Sequence, residues 1–315
     1  MAGDACGPDW GVRVAAAALA VVLGIAALAP VLAPYDPTVS GGAPLLPPGA
    51  EHLLGTNDIG QDVLSEWLWG ARTSVVVALL VALLSTGLAW GVGIAAALWR
   101  PAEAPLMAVT DLLLALPPLP VYLLIVALVG ASREHVILTL GLLSWPTFAR
   151  IVRAQAISLR GQPYVEAARA LGASPAHIGR VHLLPGTASL LPAKLVITVR
   201  FAVFAEATLA FLGLGDPAVK SWGTMLGWAF NDPLLFSGRA WTWWVLPPAF
   251  SIVLVVLATT WLASGLERAR GARHPVLGAA WAETSVEGAG RVSRLDSDER
   301  RAAARSTGRQ PSAFG

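Results

Sequence analysis

The chain has 315 residues, 55% of them hydrophobic and only 13% charged, with a formal net charge of +2 and a mean hydropathy of +0.63. A soluble domain carries about 25% charged residues, so this deficit excludes an ordinary soluble enzyme and places the chain in a lipid bilayer. The small net charge points to no nucleic-acid partner, and the lone Cys6 excludes an intrachain disulfide and a cysteine-based metal site.

An all-α integral membrane protein follows, because a helix needs about 20 apolar residues to cross the hydrocarbon core. Six segments qualify: residues 14–33, 74–98, 106–129, 136–148 (extended to about 152), 188–212 and 245–266. The first follows Arg13 and resembles a signal peptide, but its apolar run is too long and Ala33-Pro34-Tyr35 is a poor cleavage site, so a retained span is expected. Residues 34–73 form an extracytoplasmic segment rich in Pro, Gly and acidic side chains. The second outer loop concentrates Trp222, Trp228 and Trp241, with Trp243 and Trp244 beyond it. Indole rings settle at the membrane–water interface, so an aromatic belt is the expected role and a substrate vestibule wall the sharper one. From residue 271 the composition turns to Arg, Ser, Gly, Ala and Glu, and this tail is expected to be disordered.

Orientation follows the positive residues. With residues 1–13 in the cytoplasm, the inner loops carry Arg100, Arg150, Arg153, Arg160, Arg169, Arg180, Arg268, Arg270 and Arg273. The outer loops carry only Arg72, Arg133, Lys220 and Arg239. Both termini are therefore expected in the cytoplasm. No Gly-x-x-x-x-Gly-Lys-[Ser/Thr] loop, His-Glu-x-x-His or Gly-x-Ser-x-Gly occurs, and the five histidines are scattered. Catalytic residues, a metal and a bound cofactor are not expected, so energised work would draw on another subunit.

Between the fourth and fifth spans, residues 161–186 form the one long basic loop. Pro163 suits the first position of a helix, which carries Val165, Ala168 and Leu171 as a narrow apolar stripe. Gly172 stands where a helix ends in a left-handed turn. Ser174-Pro175 then reads as N-cap and first residue of a second helix, expected to run to Leu184 before Pro185-Gly186 breaks the chain. Glu166 and Arg169 lie one turn apart and can pair with each other or with a partner. Small side chains at Ala167, Ala168 and Gly172 let a partner's backbone come close. An interfacial helix resting on lipid is the alternative, but the stripe lacks the bulky anchors that lipid insertion favours.

Glu166-Ala167-Ala168, then Gly172, then His182-Leu183-Leu184-Pro185 resembles the EAA loop of ABC importer permeases, with His182 where the pattern has Ile. Gly55-Thr56 with Gly60 and Asp62-Val63, followed by Gly70-Ala71-Arg72 and Ser74, is similar to the opening of the C-type subunit of the dipeptide/oligopeptide/nickel permease family. Asp111 with Ala115 and Pro117, Trp145-Pro146 leading to Arg153, Phe211-Leu212-Gly213-Leu214-Gly215, and Ser221-Trp222-Gly223 with Met225 resemble later stretches of that family in the right order. The last span fits less well at Ser264-Gly265-Leu266-Glu267-Arg268.

This resemblance implies six transmembrane helices of the importer-permease type, with the core over residues 74–270 in the prokaryotic inner membrane. It implies a coupling surface made of Tyr164, Glu166, Ala167, Ala168, Arg169, Gly172, Leu184 and Pro185. It further implies two cytoplasmic ATPase subunits that use the ATP, a second homologous permease and an extracytoplasmic substrate-binding protein. Cargo would be peptides or related small solutes, moved by alternating access.

Four charges fall inside the expected spans, where each costs about 2.5 kcal/mol or more. Asp111 and Lys194 lie near enough to the cytoplasmic ends to reach the interface. Arg200 and Glu206 sit deeper; six residues of helix rotate by about 240°, so these two cannot pair within it. Glu206 matches a family Glu, whereas Arg200 departs from the pattern. Arg200, Glu206 and Asp111 are candidates for the translocation pathway, or for an interhelical salt bridge. A rival reading, an ion-coupled secondary carrier using Arg200 and Glu206, leaves the helix–glycine–helix loop without a role, and no internal repeat of the secondary-transporter kind is visible.

Overall fold

A computed structural model describes residues 10–273. The expected disorder of the tail falls almost wholly outside them, as does the position of Cys6. The first apolar run forms α1, Trp10–Leu32. Residues 33–62 are irregular, held by two isolated bridges, Ser40 to Gln61 and Thr56 to Asp62. Among the described residues everything else regular is helical.

Helix α2, Val63–Leu98, has 36 residues. At about 1.5 Å per residue it far exceeds the hydrocarbon thickness, and it begins eleven residues before the apolar run at Ser74. Asp62 explains the early start: its carboxylate accepts from the Ser65 N–H at 2.8 Å and caps the first turn. This long helix is the hub of the fold, packed by α1 and by helices of the third, fourth and fifth spans. Its inner face is made of small residues, including Ala71, Ala78 and Val81, which meet Ala202, Val203 and Ala205 from the fifth span. Small side chains allow the close helix approach on which membrane packing depends.

The third span departs from a straight helix. It is split into α3, Arg100–Ala115, and α4, Pro118–Val129, bent by 93° at the break. Leu116 precedes proline and is extended (ψ 136°), as the proline ring demands of its predecessor. The fourth span is also two pieces, α5 at Arg133–Leu143 and α6 at Pro146–Arg160, and it runs eight residues past the expected end. Among the described residues, five helices are long and apolar enough to cross a membrane, six when the bent pair is taken as one span.

Beyond α6 come α7, Pro163–Ala170, and α8, Pro175–Ile178. Here the expected break at Pro185-Gly186 does not occur. A π turn at Gly179–Leu183 leads into α9, Leu184–Thr187, a 3-10 turn and α10, Leu191–Leu209. Proline lacks an N–H and clashes with the carbonyl four residues back; the wider π turn ahead of Pro185 absorbs it. The fifth span ends in a second π turn at Ala210–Leu214. Helices α11, Trp222–Asn231, and α12, Ala240–Trp244, precede α13, Leu246–Arg273. Packing divides the chain at Ser264/Gly265 into two units; of the second, the described part is the end of α13.

The five tryptophans of residues 222–244 correct the aromatic-belt expectation. Trp222, Trp243 and Trp244 are buried in the protein, and of the five Trp241 alone is substantially exposed. Trp243 and Trp244 join Val63, Met225 and Leu235 in a core of their own at the start of α2.

Candidate functional site

The surface of the basic loop is built on one buried anchor. Val165 is fully buried among Ala97, Ala156, Ile178 and Leu183, which ties α7 to the ends of α2 and α6. Holding α7 by that side leaves Tyr164, Glu166, Ala167, Arg169 and Ala170 exposed, with Ala168 partly covered. Leu171 does not complete the apolar stripe against the protein; it projects into solvent, 89% exposed. Nor do Glu166 and Arg169 form an ion pair with each other among the described residues.

The turn has the geometry its sequence implies. Gly172 has φ +89°; its N–H donates to the Arg169 carbonyl and the Ala173 N–H to the Ala168 carbonyl, both at 3.0 Å. That pair of bonds is a Schellman termination. Ser174 then caps α8, its Oγ accepting from the His177 N–H at 3.2 Å. His182, the departure from the family pattern, turns its ring toward Tyr164 (5.7 Å) and His177 (6.3 Å). Leu184 and Pro185 are exposed on the continuation. Arg169 also lines a cleft of about 330 Å³ with Arg100 and Arg160, so the small-residue face of α7 is flanked by positive charge.

Polar contacts run from this surface into the spans. Thr187, fully buried in α9, accepts from Trp90 Nε1 of α2 at 3.1 Å and donates to the Leu183 carbonyl at 2.8 Å. Gln155 of α6 donates to the Gly186 carbonyl at 3.1 Å. Displacement of α7–α9 must therefore strain two of the spans directly.

No two of the four intramembrane charges form an ion pair with each other. Asp111 is exposed and pairs with Arg150, while Arg153 pairs with Glu103. Glu206 is buried and accepts from Ser74 Oγ at 3.1 Å. Arg200 is half-buried, its one hydrogen bond within the described residues a donation to Thr260 Oγ1 at 3.3 Å. The salt bridge between Arg200 and Asp111 is thus absent, each having a different partner. Lys194 corrects the expectation that it reaches the interface. It is 1% exposed, donates to Ser85 Oγ at 2.8 Å and the Ser144 carbonyl at 3.3 Å, and lies 4.6 Å from the Phe148 ring centre. These partners are 109 and 50 residues distant in sequence, which is why local reading missed them.

At the start of α2, the end away from the basic loop, the Gly55–Asp62 motif is a knot. His52 Nδ1 lies 3.0 Å from Asp62 Oδ1, and Lys220 reaches Glu66 at 2.5 Å, Gln61 at 2.6 Å and the Trp228 ring at 4.3 Å. On its rim, partial desolvation first, and Asp232 second, push the Asp58 carboxyl above the usual carboxylate range.

A polytopic helical bundle bearing an exposed helix–glycine–helix step, hydrogen-bonded into its spans, defines a membrane transport component. Residues 87–271 match the binding-protein-dependent transport system inner membrane component family, and the chain belongs to that family. It is 39% identical over 255 residues to a putative peptide transport system permease protein of Brucella suis biovar 1 (strain 1330), covering 78% of this chain and 83% of that one. It is 37% identical over 230 residues to the dipeptide transport system permease protein DppC of Bacillus subtilis (strain 168), covering 71% and 69%. Among solved structures, a chain of the MetNI methionine ABC transporter in inward-facing conformations shares the fold, with TM-score 0.51, 21% identity, and 65% and 96% coverage. This protein is a multi-pass permease of a binding-protein-dependent transport system.

Proposed function

We propose that residues 161–186 are the surface on which the ATPase subunit docks, and that the importer carries peptides. The observation that carries the docking assignment is the exposure of Glu166, Ala167, Arg169 and Leu171 on a helix whose opposite side is locked down by Val165. An 89% exposed leucine beside alanines offers apolar area that a partner would bury, and the Arg100/Arg160/Arg169 cleft favours an acidic partner. The peptide cargo is supported by the names of the relatives.

In this reading the complex holds two ATPase subunits, a second homologous permease and an extracytoplasmic binding protein, with both termini of this chain in the cytoplasm, as the Lys/Arg distribution favours. The chain itself holds no cofactor. ATPase closure moves α7, and the contacts of Thr187 and Gly186 carry that motion to α2 and α6 for alternating access. The test is mild-detergent co-purification from native membranes, comparing wild type with Gly172→Trp. The wild type is expected to bring down an ATPase and a second permease, and the variant to lose the ATPase. A wild type recovered intact and alone would refute the assignment. Solute eluted from a co-purifying binding protein identifies the cargo.

A further inference from the structure

A cavity of about 380 Å³ lies among the third, fourth and fifth spans, within the size range of small-ligand sites. Its walls come from both broken helices: Leu116 and Pro118 at the 93° bend, and Ser144 and Pro146 at the α5–α6 break. Irregular backbone at membrane depth is tolerated where it lines a cavity. The lining is mostly apolar, with Tyr122, Phe148 and Phe201 among it, yet it includes two cations, Lys194 and Arg200. No Asp or Glu lines it among the described residues.

That imbalance is the informative feature. A buried ammonium is normally offset by a carboxylate. Lys194 has only a serine hydroxyl, a carbonyl oxygen and a ring face. Arg200 makes one long bond to Thr260, so most of its donors are uncommitted among the described residues. Ser144 also lines the cavity, and its hydroxyl is buried beside it without a hydrogen-bond partner. Of the two carboxylates within the expected spans, Asp111 pairs with Arg150 and Glu206 accepts from Ser74, and neither forms an ion pair with Lys194 or Arg200.

We infer that this cavity is a carboxylate-binding subsite for the translocated solute: Arg200 takes the carboxylate, Lys194 supplies the enclosed positive charge, and the aromatic wall covers an adjoining apolar side chain. The inference rests on the peptide-importer reading above and assigns the cavity within it.

The experiment uses the full chain in nanodiscs, with Cys6→Ser and Thr147→Cys, the latter labelled with an environment-sensitive dye because Thr147 is exposed and lines the cavity. Trialanine and trialanine amide are titrated into nanodiscs of neutral lipid and of lipid containing phosphatidylglycerol. Trialanine should shift the dye signal with an apparent affinity about tenfold or more above the amide, the scale of a charge-assisted hydrogen bond. Arg200→Gln should remove that difference and Arg200→Lys restore part of it. The acid–amide comparison needs no variant, so misfolding of Arg200→Gln cannot rescue the inference. Equal responses to acid and amide would overturn it. So would a signal that follows phosphatidylglycerol and ignores peptide, which would make the occupant a lipid headgroup. Co-purification of the ATPase is scored on the same preparations: ATPase recovered together with equal dye responses to acid and amide sinks the subsite and leaves the importer reading standing.

Discussion

Individual glycines divide according to what surrounds them. Gly60 has φ +80° and a Cβ there would overlap the Gly42 carbonyl, whereas Gly172 has φ +89° but open space around it. Gly172→Ala should therefore cost about 1–2 kcal/mol, the left-handed penalty alone, and Gly60→Ala about 3 kcal/mol or more once the clash is added. Thermal unfolding of the detergent-solubilised variants would check the order. Buried charge gives a second residue-level prediction. Lys220→Met strands a fully buried Glu66 and should destabilise by about 3–5 kcal/mol, while the double variant Lys220→Met/Glu66→Gln should recover most of the loss. The role of Gly172 is legible in sequence because its capping bonds span only five residues. The Lys194–Ser85 and Lys220–Glu66 partnerships are not, since they join residues 109 and 154 apart.

Elements follow the same division between local and distant causes. The apolar runs mark the spans and Ser174-Pro175 marks α8, because length, hydropathy and caps are local properties. The bend between α3 and α4 comes from the Leu116-Pro117 step and the continuous helix through Pro185 from the π turn ahead of it, backbone causes that hydropathy does not register. The outer tryptophans read as a belt on composition but pack inside, because Val63, Met225 and Leu235 converge on them from separate elements. At this scale α7 is the testable element. Val165→Asp puts a carboxylate into a fully closed apolar cluster, a cost of several kcal/mol. It should release α7, seen as faster proteolysis within 161–174, while the spans stay folded by helical circular dichroism. Protection equal to wild type would show that Val165 does not anchor the helix.

At the scale of the whole molecule, α2 is the common element. It begins in the knot of Asp62, Glu66 and Lys220, crosses the core, and ends beside the proposed docking surface, where Trp90 holds Thr187 and Ala97 packs near Val165. One continuous helix therefore links the face expected to meet the binding protein with the face expected to meet the ATPase. The central claim is that the exposed side of α7 and its turn is the ATPase-docking surface. The most direct test is cysteine cross-linking in native membranes, with Cys6→Ser and a single new cysteine at Leu171, and Leu53→Cys, exposed on the outer segment, as the control. Leu171→Cys should cross-link to the ATPase subunit with a yield that changes on adding ATP, and Leu53→Cys should not. Cross-linking at Leu171 to no protein, or equal ATPase cross-linking from both positions, would contradict the assignment.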